Sequence, residues 1–179
     1  TRLVDDWIEV LHNREPHVFE PWGPLTTLIR AHSSIVPIDV IRKVYSCADE
    51  FARINRSLPP GIFHPDYVAQ TKSQTAYRSF VLLSEEIAQN PIPLSKDDLH
   101  TVMPFLQNSP YSLLTLLTRS NADASTWRVA LKLCTSSDLQ VHAASDPNLR
   151  WDSEIRAKLL VSKNPRVLRY LIEDADPQT

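Results

Sequence analysis

Apolar residues recur along this chain at helical spacing, and polar or proline-rich breaks cut the recurrence into short runs. Leu3, Trp7, Val10 and Leu11 follow the i, i+4, i+7, i+8 rhythm of an amphipathic helix that ends before Pro16. A loop through Glu15-Pro16-His17 and Pro21-Trp22-Gly23-Pro24 leads into a helix over Leu25 to His32. Pro37 opens the strongest helical pattern, with Ile38, Ile41, Val44, Tyr45, Ala48, Phe51 and Ala52 on one stripe. Arg42, Lys43, Asp49, Glu50, Arg53 and Arg56 surround that stripe, and Ser57-Leu58-Pro59-Pro60-Gly61 breaks it. Tyr77, Phe80, Val81 and Ile87 predict a further helix ending near Asn90.

From residue 94 each predicted helix start carries its own cap. Ser95 with Asp98 forms the pattern of a capping box ahead of Leu99, Val102, Met103 and Leu106, a run that Pro104 should kink or split. Ser109-Pro110 and Asn164-Pro165 are N-cap and N1 pairs, because Ser or Asn accepts an otherwise unpaired amide and Pro has none to lose. Ser137-Asp138 offers the same cap without the proline. These three anchors lie 28 and then 27 residues apart. Four residues after them come Leu113, Val141 and Leu168, and seven after come Leu116, Ala144 and Leu171, the expected inward positions of a first helix. A second helix follows in two of the units, where Ser125-Thr126-Trp127-Arg128 aligns with Ser153-Glu154-Ile155-Arg156 and Leu131 with Leu159. The turns between are rich in Asn, Asp and Pro, and the third unit breaks off after Asp176-Pro177.

The expected fold is therefore all-α. It is a single domain over 1–179, irregular over 1–93 and helical-repeat-like over 94–179, where a short α-solenoid-like stack is predicted. The residues Ala143-Ala144-Ser145-Asp146-Pro147-Asn148 and Val161-Ser162-Lys163-Asn164-Pro165-Arg166-Val167-Leu168 resemble units of bacterial variant leucine-rich and HEAT-like α-helical repeat proteins. In that group a short helix, a turn of Asp, Asn and Pro, and another helix make one unit. The resemblance covers residues 109–176 and implies a right-handed-type solenoid or short helical stack used for binding, with no common enzymatic activity. The chain departs from the group in three ways. Its period is longer than that of variant leucine-rich repeats, its N-terminal half does not match, and it has no cysteine cluster for an iron–sulfur site.

Composition narrows the function classes. Gly23 and Gly61 are the only glycines, so the glycine-rich turns that let backbone amides approach a phosphate in dinucleotide and P-loop sites are missing. Fourteen prolines sit mostly between periodic segments, which predicts many short helices. Cys47 and Cys134, far apart and each inside an apolar pattern, read as two buried thiols. The opening Thr1-Arg2-Leu3-Val4-Asp5-Asp6 lacks the basic and apolar regions of a secretory signal, and the longest uncharged stretch, 101–118, is interrupted by prolines. A cytoplasmic protein without membrane contact is the expectation. The net charge of −2 steers no partner.

The local His and carboxylate groupings are His17 with Glu20, His64 with Asp66, and Asp97-Asp98 with His100. None has the i, i+4 histidine pair of a zinc site on one helix face, and no nucleophile motif stands out. They read as surface or capping residues, His142 as a hydrogen-bonded, partly buried histidine, and neither a catalytic residue nor a cofactor is expected. Charge is concentrated elsewhere: Arg128, Lys132, Arg150, Arg156, Lys158, Lys163, Arg166 and Arg169 set eight bases against four acids between residues 128 and 169. If the repeat holds, Arg128 and Arg156 lie side by side along one face. The candidate binding surface is Arg128, Lys132, Arg150, Arg156, Lys163, Arg166 and Arg169. A non-enzymatic interaction protein with a protein partner or self-association is the leading expectation, and a nucleic-acid-binding repeat acting through the basic stripe is the alternative. Tyr170, Leu171 and Ile172 have no following second helix to cover them, which marks them as a packing or partner helix.

Overall fold

A computed structural model of the chain describes residues 22–33, 36–46, 78 and 80–173. Among the described residues the regular structure is helical, without a strand. The chain divides into two compact units, Thr1–Leu94 and Ser95–Thr179. The amphipathic run over residues 3–11, the breaker at 57–61, Cys47 and the segment after Glu173 lie outside the described residues.

The first unit contributes α1 (Trp22–His32), α2 (Ile38–Ser46) and α3 (80–89). Helix α1 begins at Trp22 and not at Leu25, so the Trp-Gly-Pro sequence expected in a loop belongs to its first turn. First-turn amides have no intrahelical acceptor, and Pro24 therefore sacrifices no hydrogen bond there. Ile29, Ile41, Val44, Phe80, Leu83 and Ile87 are sealed from solvent, with Tyr45 tilted against Phe80 at a ring separation of 5.5 Å. Polar groups inside this core are paired. Ser84 Oγ donates to the Phe80 carbonyl at 2.7 Å, which leaves it accepting from the Tyr45 hydroxyl at 2.6 Å. Burial pushes the Tyr45 phenol above its ordinary pKa, so it stays a donor. At the edge, Arg30 holds Glu86 in an ion pair, and Asn90 Nδ2 closes α3 on the Glu86 carbonyl at 2.8 Å.

The second unit starts with α4 (Lys96–Val102), which passes into a 3-10 turn over Met103–Leu106 where Pro104 denies an α-helical amide. There follow α5 (Pro110–Arg119), α6 (Ala124–Leu133), α7 (Ser137–Ser145), the single turn α8 (Pro147–Arg150), α9 (Ser153–Leu160) and α10 (Pro165–Glu173). The capping box at the head of α4 is complete: Asp98 N donates to Ser95 Oγ at 3.3 Å, and Ser95 N donates to Asp98 Oδ2 at 2.9 Å. Asp123, Ser136, Asp146 and Asp152 cap α6, α7, α8 and α9 by accepting first-turn amides, and Asn164 Oδ1 accepts from Arg166 N at the head of α10. Between α5 and α6, Asn121 takes a left-handed φ of 46°, which asparagine tolerates better than most residues.

Two readings of the register change. The cap of α7 is Ser136, whose Oγ accepts from Asp138 N at 3.2 Å, so Ser137 is the first helical residue. That moves the middle helix by one position, and the columns that match across α5, α7 and α10 become Ser112, Leu139 and Val167, then Leu116, Ala143 and Leu171, all buried. Leu168, expected to point inward, is 36% exposed. The Asp-Pro-Asn turn is also not plain turn but the one-turn helix α8, since Asp146 caps it at once and Pro147 occupies its first position.

Packing in this unit runs in two rows. Helix α4 packs on α6 and α6 on α9, while α5 packs on α7 and α7 on α10. In the first row Leu99, Trp127 and Ile155 recur every 28 residues, as do Met103, Leu131 and Leu159, and all six are buried. Helix α4 thus carries the same two buried columns as α6 and α9. Cys134, a free and buried thiol, is the C-cap of α6 where the chain turns toward α7.

Candidate interaction surface

The bases of the second unit divide by what their side chains reach. On α6, Arg128 donates from Nη1 to Glu154 Oε1 at 2.5 Å and lies 3.8 Å from Asp152 Oδ2 through Nε. Lys132 Nζ stands 3.6 Å from the other oxygen of the same glutamate. Hydrogen bonding to Arg128 holds the Glu154 carboxyl below its ordinary pKa, and Glu154 in turn holds Arg128 above its own. Asp152 has two tasks, because its Oδ1 also caps α9 through Glu154 N and Ile155 N, each at 3.1 Å. A cation therefore faces a carboxylate already seated at a helix N-terminus, where negative charge is favoured.

Arg150 is only 7% exposed and donates from Nη1 to the Ala144 carbonyl at 2.9 Å, at the end of α7. Lys158 Nζ does the same for the Leu131 carbonyl of α6 at 2.9 Å. Helix C-termini leave carbonyls without intrahelical donors, and these two cations supply them. Desolvation, with the neighbouring charge of Lys132, lowers the Lys158 pKa against the opposing pull of Glu154. Arg156 lies over the Trp151 ring with its guanidinium carbon 4.6 Å from the centroid, and the indole is 57% exposed. Lys163, Arg166 and Arg169 are exposed on and just before α10.

The expected stripe is therefore divided among four environments. Arg128 and Lys132 share Glu154, Arg150 is withdrawn from solvent, Arg156 covers an indole, and the exposed cations gather at α10. Of the expected partner helix, Leu171 is buried, Tyr170 is half-buried and Ile172 is 68% exposed. No protein-family model, curated protein or solved structure matches the chain. The surface must be read from its own chemistry.

The acids that organise the bases escaped the sequence reading. Glu154 follows Arg128 by 26 residues and Asp123 follows Lys96 by 27, with Lys96 Nζ 3.0 Å from Asp123 Oδ2. Lys158 reaches Leu131 across the same 27 residues, and Asn164 Nδ2 reaches Ser137 Oγ across 27. A search for donors and acceptors 26 or 27 residues apart would have found them. Asp123 gathers the most: its Oδ1 accepts from Thr126 N at 2.8 Å, Thr126 Oγ1 at 2.7 Å and Ser125 Oγ at 2.8 Å. These hydrogen bonds, Thr126 first and with Lys96 adding to them, hold its carboxyl far below the usual carboxylate range.

Of the histidine groupings, Asp98 is occupied by the capping box, and the pairs at His17 and His64 lie outside the described residues. His142 is half-buried and stacks on Trp127 with a centroid separation of 5.3 Å. Among the described residues no group of three or more His, Cys, Asp or Glu side chains could hold a metal ion, and no helix is long and apolar enough to cross a membrane.

Proposed function

We propose that the second unit is a short α-solenoid-like stack that binds another protein without catalysing a reaction. The observation that carries this reading is the set of hydrogen bonds at a sequence separation of 27, which tie neighbouring helices of a row together one residue out of the 28-residue register. Regular stacking of this kind yields a continuous surface instead of an enclosed cleft, and proteins so built use that surface for recognition. The resemblance of residues 109–176 to HEAT-like repeats agrees with it.

A nucleic-acid-binding role loses support from the same geometry. Phosphate binding draws on cations that release counterions. Here Arg128 is taken up by Glu154 and Asp152, and Lys158 and Arg150 serve backbone carbonyls. The deciding experiment is affinity co-purification of the tagged chain from its native cell, with and without nuclease, beside a Lys163→Glu/Arg166→Glu variant. The expected outcome is a protein partner retained after nuclease treatment and weakened by charge reversal at α10. Retention of nucleic acid alone, with binding that collapses as salt rises, would reverse the assignment.

A further inference from the structure

The turn between α9 and α10 is built inside out. Its polar side chains point inward: Ser162 Oγ donates to Gln140 Oε1 of α7 at 2.6 Å, and Asn164 Nδ2 reaches Ser137 Oγ at the start of the same helix. They also fix the turn itself, because Asn164 N donates to Ser162 Oγ at 3.2 Å while Asn164 Oδ1 accepts from Arg166 N at 2.9 Å. Ser162 N closes the end of α9 on the Leu159 carbonyl at 3.0 Å. The apolar residues meet water instead, with Leu160 58% and Val161 80% exposed, and Lys163, Pro165 and Arg166 beyond them are exposed too. The turn between α6 and α7 has the ordinary order: Lys132 stands 28 residues before Leu160, and Leu133, 28 before Val161, is half-buried ahead of buried Cys134. A single exposed aliphatic residue needs no explanation, but a pair held out by a pinned backbone beside unpaired charge does.

Between Glu154 and Glu173 the sequence has five bases, Arg156, Lys158, Lys163, Arg166 and Arg169, and no acid. Arg156 covers Trp151 and Lys158 serves the Leu131 carbonyl, whereas Lys163 and Arg166 meet no carboxylate among the described residues. Lys96, Arg128 and Lys132, by contrast, each lie against a carboxylate on or capping the next helix of their row. We infer that the surface of Leu160, Val161, Lys163 and Arg166 receives an acidic segment of a partner protein, with an apolar side chain set between carboxylates. The apolar side chain covers Leu160 and Val161, and the carboxylates take Lys163 and the guanidinium fork of Arg166. A phosphate backbone would use the two cations but not the aliphatic pair. Because the turn is already fixed, binding has little of it left to order. The inference rests on the partner-binding reading and narrows it to one surface and one kind of segment.

Panning a random peptide library against the full chain tests it, with selected peptides labelled and titrated by fluorescence anisotropy and circular dichroism verifying the fold of each variant. Selected peptides should carry Asp or Glu beside Leu, Ile or Phe and bind at ~10 μM, modest on the scale of non-covalent affinities. Lys163→Glu/Arg166→Glu and, separately, Val161→Asp should each weaken them at least about tenfold. Tyr111→Ser, at a 73% exposed residue on α5, should leave binding unchanged. Peptides remade with Lys in place of their acids should recover binding to the charge-reversed chain, a rescue that a purely structural effect of the substitutions would not give. A selection without acidic enrichment, peptides indifferent to Val161→Asp, a charge exchange without rescue, or poly(U) RNA bound as tightly through the same residues would each overturn the inference. The broader partner-binding reading has its own co-purification test and fails separately, when no protein is retained.

Discussion

In the first unit the polar groups inside and beside the core satisfy one another across long stretches of chain. Tyr45 meets Ser84 at a separation of 39 residues, and Arg30 meets Glu86 at 56. In the second unit links recur at 26 or 27 residues and join α4 to α6, α6 to α9 and α7 to α10. One unit is held by singular contacts, the other by a repeated one. The difference bears on folding as well as architecture: contacts of short, constant separation cost less loop-closure entropy, so the second unit is the one expected to assemble first.

The most severe way to break the comparison is to empty the core of the second unit. Leu159→Ala, at a residue with no exposure in the Leu131 and Leu159 column, should cost about 3 kcal/mol. Urea titration followed by the fluorescence of buried Trp127 measures it, and the first unit should keep its own transition if the units are energetically separate. Next in size are the singular contacts. Ser84→Ala leaves the buried Tyr45 hydroxyl without its acceptor and should cost about 2 kcal/mol, whereas Tyr45→Phe leaves Ser84 donating to Phe80 and should cost about 1 kcal/mol. Equal losses would mean that the pair adds nothing beyond packing.

Asp123→Ala should cost about 1 kcal/mol near neutrality, the usual value of a lost N-cap. Its pH dependence has a definite sign. The folded carboxyl titrates below the unfolded value of about 3.9, so its contribution is present in full above that value and fades as pH falls toward the folded pKa. Stability curves of wild type and Asp123→Ala should therefore run parallel above about pH 5 and converge in stronger acid. The smallest effect belongs to Glu154→Gln, because the exposed pair with Arg128 is screened by water. A change at the edge of detection is expected in thermal denaturation, and a large one would make this link a main support of the row.

Local chemistry made much of the fold legible in the sequence. Capping at Ser95 and the break at Pro104 depend on residues three or four positions apart, which any reading of the chain can see. Register at α7 was harder, because Ser136, Ser137 and Asp138 are three adjacent acceptors and only packing of Leu139 and Ala143 decides among them. Trp22-Gly23-Pro24 has loop composition yet forms a first helical turn, the one place where proline carries no penalty. The basic stripe was visible as composition but not as geometry. Whether a cation meets solvent, a carboxylate or a carbonyl depends on a neighbouring helix, 26 or 27 residues away for Arg128 and Lys158 and six for Arg150.

Cys134 closes α6 where the chain crosses from one row to the other, and its thiol is buried and free. Alkylation at that sulfur requires the crossing to open, so the labelling rate of a Cys47→Ser chain would time the parting of the rows. The protein thus carries its own clock for local opening, at the joint where the two rows exchange the chain.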